Sequence, residues 1–163
     1  MTTTKILLRP FTTVFALAAA LAATALADPC HVGQKVDSFQ AADQHGKGFD
    51  FDPSSTRFLL VSFDMDRGKA ANKALEQLGA DYLPGKSAVF LSNIHGMPGI
   101  GRMFAMPKMK KYNHKIILAD DAALIARFPE QAGKVTVLKL SGGKVSSVAY
   151  WTPGAEGIED VLK

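Results

Sequence analysis

The sequence predicts an α/β domain with a mixed central sheet flanked by helices and an N-terminal β-hairpin. Three observations carry this. Phe58-Leu-Leu-Val-Ser-Phe63 is apolar except at Ser62 and runs into a short polar loop and then a helical pattern, as a strand covered on both faces does. Ser87 to Asn93 repeats the strand chemistry beyond that helix, which makes a βαβ unit with parallel strands. Lys134 to Leu140 and Lys144 to Trp151 flank Ser141-Gly-Gly143, two β-rich runs about a hairpin turn.

The start of the chain reads as an export signal. Lys5 and Arg9 precede an apolar segment from Val14 to Ala23, and Ala25-Leu26-Ala27 forms a small-x-small site before Asp28. Basic start, short apolar core and small-residue site describe a secretory signal peptide over residues 1–27. The segment is shorter than the ~20 apolar residues that a membrane-crossing helix needs. A lipid anchor on Cys30 wants a small residue just before it, and Pro29 stands there. The expectation is a single domain over 28–163, periplasmic or secreted and not membrane-integral after signal cleavage.

Removing Lys5 and Arg9 from the 19 basic residues leaves 17 against 15 acidic ones, a balance of +2. That is too mild to argue for nucleic acid, and no basic stripe interleaved with aromatics occurs. Cys30 is the single cysteine and cannot pair within the chain. Its place beside the expected new terminus reads as a free thiol on a flexible end. An intermolecular disulfide, or a soft-metal contact with His31, is the other reading.

In chain order, Val36 to Ala42 reads as extended, Asp43-Gln-His-Gly-Lys-Gly48 as a turn and Phe49 to Phe51 as the returning strand. After the central strand, Ala70, Ala71, Ala74, Leu75 and Leu78 recur at helical spacing, with Lys69, Lys73, Glu76 and Gln77 for the wet face and Gly79 as the stop. Met103, Phe104 and Met106 give a short helix that Pro107 ends or kinks. Ile116 to Leu118 reads as a buried strand, Ala122 to Phe128 as a helix capped by Asp120 or Asp121, and Ile158, Val161 and Leu162 as the apolar side of a terminal helix.

This order resembles the thioredoxin-like superfamily, especially its exported, cysteine-free members. Val32-Gly33-Gln34-Lys35-Val36 with Phe39 and Asp43-Gln-His-Gly46 is similar to the lead-in of peroxiredoxin-type chains. Lys134 to Lys144 with Trp151 onward is similar to their closing hairpin and helix. The likeness extends over nearly all of residues 32 to 162 and is shared with short secreted proteins sometimes labelled flavin-containing dehydrogenase. It implies that a redox-active member carries C-x-x-C or a peroxidatic cysteine in the strand-to-helix loop, and a cis proline before the closing hairpin. Here the loop reads Asp64-Met65-Asp66-Arg67-Gly68-Lys69, and Gly133, Lys134 and Val135 stand at the second place, with Pro129 the nearest proline. Thiol exchange needs a thiolate, which an aspartate cannot supply. A flavin fingerprint wants G-x-G-x-x-G in that loop, which has one glycine; Gly96, Gly99 and Gly101 have the wrong spacing.

Two candidate sites remain. Asp64, Asp66, Arg67 and Lys69 crowd the end of the central strand, where open α/β sheets bind ligands, or else they cap the next helix. Met97, Met103, Met106 and Met109 lie near His95 and His114. Thioether and imidazole suit Cu(I), and the candidate ligands are His95, Met97, Met103 and Met106; core filling is the other reading. His31, His45, His95 and His114 show no zinc spacing, no G-x-S-x-G occurs, and Trp151 reads as a core edge. These residues point to an exported, non-redox binding or accessory module that needs no cofactor and acts on an unknown envelope protein or small molecule. The alternatives are a flavin-dependent or Cys30-thiol oxidoreductase and a periplasmic Cu(I)-binding module.

Overall fold

The computed structural model describes residues 28–163, and the expected signal peptide lies outside them. The N-terminal hairpin pairs β1 (Phe39–Asp43) with β2 (Gly48–Phe51) in antiparallel register. Asp43 closes its turn by accepting the N–H groups of His45 and Lys47 at 2.8 and 3.0 Å, the self-bonding that makes aspartate a turn residue. Then follow β3 (Phe58–Ser62), α1 (Met65–Leu78), the one-turn α2 (Tyr82–Gly85) and β4 (Ala88–Asn93). Beyond them lie α3 (Gly99–Met109), β5 (Ile117–Ala119) and α4 (Ala122–Ile125). The chain closes with β6 (Val135–Ser141), β7 (Lys144–Trp151) and α5 (Ile158–Val161).

The seven strands form one mixed sheet in the order β2-β1-β5-β4-β3-β6-β7. β3 is parallel to β4 and antiparallel to β6, so the βαβ unit and the closing hairpin meet on it. All five of its residues are buried, and Phe58 to Val61 alternate between two cores. Phe58 and Leu60 pack with Ala71 and Leu75 of α1, Phe90, Met109, Trp151 and Ile158 on one face. Leu59 and Val61 pack with Phe51, Leu91, Leu124, Phe128 and Leu138 on the other. Successive strand residues point to opposite faces, so a strand covered on both sides is apolar, and its one polar residue, Ser62, is satisfied by Ser92. Gly142 and Gly143, at φ 55° and 77°, make the β6–β7 turn; two positive φ values in succession are the tight hairpin geometry glycine permits.

Besides element ends, such as α4 stopping at Ile125 and not Phe128 and β1 starting at Phe39 and not Val36, the structure differs from the sequence reading at three places. α3 continues through Pro107 to Met109, and Met103 and Phe104 on it are exposed. Lys110 N–H still reaches the Met106 carbonyl at 3.0 Å, so the proline neither ends the helix nor turns those two side chains inward. α2 is an extra helical turn with Pro84 inside it. Cys30 is not on a flexible end: it is 7% exposed, and its N–H donates to the Arg127 carbonyl at 2.9 Å. Val36, Leu124 and Phe128 around it supply an apolar seat that overrides terminal fraying. Among the described residues no helix is long and apolar enough to cross a membrane.

Candidate functional site

The loop after β3 is a helix cap before it is anything else. Asp64 is extended at φ −125°, ψ 163°, and its carboxylate accepts the Arg67 N–H at 2.8 Å, satisfying one orphan donor of the first turn. Asp66 and Lys69 pair at 3.7 Å on the exposed side of the helix, where such pairs contribute little. Of the four residues predicted to form a ligand loop, only Lys69 lines the adjoining cavity. The other three are thereby not gathered about one point.

That cavity, about 330 Å³, opens at the carboxyl ends of β3 and β4 between α1 and α3, the end of an open α/β sheet at which ligands bind. Its apolar wall is Met65, Ile94, Met97, Ala105, Met109 and Tyr112. Asn72, Ser92 and Asn93 supply polar atoms, and Lys69, Lys73, Glu76 and Lys108 stand at the rim. Three thioether side chains, from the start of α1, the loop before α3 and the end of α3, thus line one cavity, Met65 at its mouth with 41% of its surface exposed.

The remaining contacts hold those segments still. The Arg102 guanidinium donates to the carbonyls of Ile94 (3.0 Å) and Met97 (3.3 Å) while paired with the Asp120 carboxylate. The pairing holds the Asp120 carboxyl below the usual carboxylate range and pins the turn that carries Met97. Gly101 lets the Met97 side chain lie flat, because a Cβ there would stand 3.3 Å from Met97 Cγ. Deeper in, Ser62 Oγ donates to Ser92 Oγ at 3.3 Å, and His114 Nε2 lies 2.9 Å from Asn72 Oδ1. Burial lowers the His114 pKa to about 4.

Gly68 sits over the serine pair inside α1, where a Cβ would meet Ser62 Oγ at 3.4 Å and Ser92 Oγ at 3.5 Å. Those are van der Waals contacts, and glycine within a helix costs up to about 1 kcal/mol relative to alanine. Gly68→Ala is therefore expected to stabilise the protein by about 0.5–1 kcal/mol, read as a higher urea midpoint at unchanged m-value.

The predicted copper set is only partly assembled. Met97 lines the cavity, but His95 and Met103 are exposed and Met106 packs at the edge of the core. Met65 and Met109 take their places. The signal for Met65 was its position, a sulfur within the strand-to-helix loop that is otherwise read for cysteines. Met109 belongs to the methionine cluster visible in the sequence, but it lies beyond Pro107, which the sequence reads as ending or kinking the helix, and so falls outside the candidate ligands. Cys30 belongs to the opposite face of the sheet, with Leu59 and Val61, and burial pushes its thiol pKa up. Among the described residues no group of three or more His, Cys, Asp or Glu is placed to hold a metal ion. Any soft-metal site here rests on thioethers.

Sheet order, helix placement and the position of the cleft define a thioredoxin-like fold. No family model matches the chain, and no curated protein matches it. Solved structures do. The peroxidoxin BcpB from Mycobacterium tuberculosis is 13% identical with a TM-score of 0.55, over 82% of this chain and 94% of that one. A peroxiredoxin-like protein from Aquifex aeolicus is 12% identical with a TM-score of 0.53, over 84% and 86%. The thioredoxin domain of a Bacteroides vulgatus thiol-disulfide oxidoreductase is 12% identical with a TM-score of 0.51, over 82% and 99%.

These matches correct the expectation of a non-redox binding or accessory module. The structures that share the fold are a thiol-disulfide oxidoreductase domain, a peroxiredoxin-like protein and a peroxidoxin, and no finding favours the accessory reading. At such identities the likeness itself carries the fold alone, so the choice among the alternatives rests on the cleft.

Proposed function

We propose that this chain is an exported thioredoxin-like protein that holds Cu(I) in the sulfur-lined cleft, working in the periplasm or outside the cell. One observation carries the reading: Met65, Met97 and Met109, from three segments, line one cavity beside the carboxyl end of β4. Thioethers are soft, neutral donors that select Cu(I) over hard cations. They need no deprotonation, so binding through them is spared the acid sensitivity of thiolate sites. Export is supported by the basic, apolar and small-residue pattern of residues 1–27. In this reading the cleft carries sulfur, as in the redox branches of the superfamily, but as thioether, which exchanges no disulfide.

A Cys30-based oxidoreductase is less well supported by the same geometry. An attacking thiol is activated by exposure and positive surroundings, whereas Cys30 is buried in the other core with a raised pKa. The flavin reading has one glycine in the loop to stand on.

The test is anaerobic Cu(I) titration against a chromophoric chelator. The protein is expected to bind one Cu(I), and Met65→Leu/Met97→Leu/Met109→Leu is expected to weaken it about 100-fold, a loss of ~2.7 kcal/mol. Met103→Leu and Cys30→Ser should leave the affinity unchanged. Absence of binding, or equal binding by the triple variant, would overturn the reading. Loss on Cys30→Ser alone would move the site to the thiol.

A further inference from the structure

Three of the five large apolar side chains exposed among the described residues lie on one helix. Ile100, Met103 and Phe104 of α3 are 67%, 63% and 64% exposed. Their i, i+3, i+4 spacing places them on one stripe, while Ala105 and Met109 on the other side of the helix line the cavity. A stripe of that kind normally faces a core. Here it faces outward.

Charge is segregated along the same stretch of chain, and the one acid at the rim of the cavity beside it is Glu76 of α1. Between Tyr82 and Ala119 there are six basic residues and no acidic one. Lys108, Lys110, Lys111 and Lys115 are exposed, and Arg102 alone is neutralised, by Asp120. The chain keeps turning past Met109, with the Lys110 and Lys111 N–H groups both bonded back at 3.0 Å. At about 3.6 residues per turn, Lys111 falls in line with Ile100 and Phe104, and Lys108 and Lys110 fall to either side. Apolar side chains and lysines therefore share one outward surface.

We infer that α3 and the lysines after it form a docking surface for an anionic lipid bilayer, on which the protein lies peripherally. Apolar residues along one helical stripe flanked by lysines are the elements of an interfacial helix, and acidic lipid headgroups complement a lysine cluster. The composition separates this from a protein partner. Protein interfaces enrich arginine and deplete lysine, and the free charges here are all lysines, compact point charges suited to a fluid surface that offers no fixed fork geometry. The inference is independent of the copper reading, since its apolar stripe lies on the opposite side of α3 and Lys108, the one residue shared, stands at the cavity rim as a charge and not as a sulfur donor.

Co-sedimentation with phosphatidylcholine vesicles, with and without phosphatidylglycerol, tests it. The protein is expected to pellet with the phosphatidylglycerol vesicles, at least tenfold more than with phosphatidylcholine alone, and to be released as salt rises to about 0.5 M, where screening shortens the reach of charge. Ile100→Ser/Met103→Ser/Phe104→Ser is expected to lose at least tenfold in vesicle partitioning, and its circular dichroism and melting should match the parent because the replaced side chains are exposed. Lys108→Glu/Lys110→Glu/Lys111→Glu should abolish the preference for phosphatidylglycerol without touching the apolar stripe. Failure of the parent protein to pellet, or unchanged pelleting of both variants, would overturn the inference. So would sedimentation showing that the stripe is covered by a second copy of the chain.

Discussion

Between about pH 6.5 and pH 4 the protein is expected to lose roughly 3 kcal/mol of stability through a single side chain, His114. The ring is 1% exposed and lies among Asn72, Phe90 and Tyr112. Its Nε2–H donates to Asn72 Oδ1, and Nδ1 has no partner. A proton added at Nδ1 would place a charge in a buried site with no protein acceptor, so burial holds the pKa near 4 against an ordinary 6.5. The unfolded chain takes up the proton first. The contribution is therefore intact above about pH 6.5, falls as pH drops through the window, and is fully lost below about pH 4. Asp43 and Asp120 have pKa values lowered from 3.8, so their effects fall at lower pH still. Urea midpoints measured across the window should decline steeply for the parent and stay nearly flat for His114→Gln. A decline of equal size in that variant would refute the assignment.

The parts of this fold that were legible from residues alone are those where one principle decides. Phe58 to Val61 is buried on both faces and therefore apolar, with only Ser62 polar at its end, Gly142-Gly143 supplies two positive φ values, and Asp121 caps α4 with its own carboxylate at 2.9 Å from the Ala123 N–H. α3 was misread because two signals opposed each other. Its apolar residues at helical spacing imply a buried face, and Pro107 implies a stop, yet the helix runs on and the stripe faces outward. Neither outcome is set by local sequence. The first depends on what lies across from the helix, the second on whether the freed carbonyl is needed.

The cleft was legible in position and not in membership. The end of β3 could be named as the place to look, because strand-to-helix loops in open sheets gather there. Which side chains reach the space is a matter of long-range packing: Met97 is turned inward by the Arg102 clamp and the bare Gly101, while His95, two residues away, is left exposed. Cys30 shows the same limit from the other side. Its burial comes from Leu124 and Phe128, which are about 95 residues distant in the chain, and sequence proximity to an expected terminus could not reveal it.

Trp151 is expected to be the costliest single truncation in the described domain. It ends β7 opposite Val135, is 0% exposed, and packs in the core formed by Phe58, Leu60 and Ile158. Its indole N–H donates to the Glu156 carbonyl at 2.9 Å, while the Glu156 side chain accepts the Thr152 N–H at 2.7 Å, so the ring joins the closing hairpin to the turn that leads into α5. Trp151→Ala removes the ring volume and the hydrogen bond to the Glu156 carbonyl, a combined loss of about 3–5 kcal/mol. Trp151→Phe restores most of the volume and none of the hydrogen bond, and is expected to cost about 1–3 kcal/mol. Urea unfolding of both separates packing from hydrogen bonding. A loss under ~1 kcal/mol for the alanine variant would mean that the hairpin and α5 are held together without the indole.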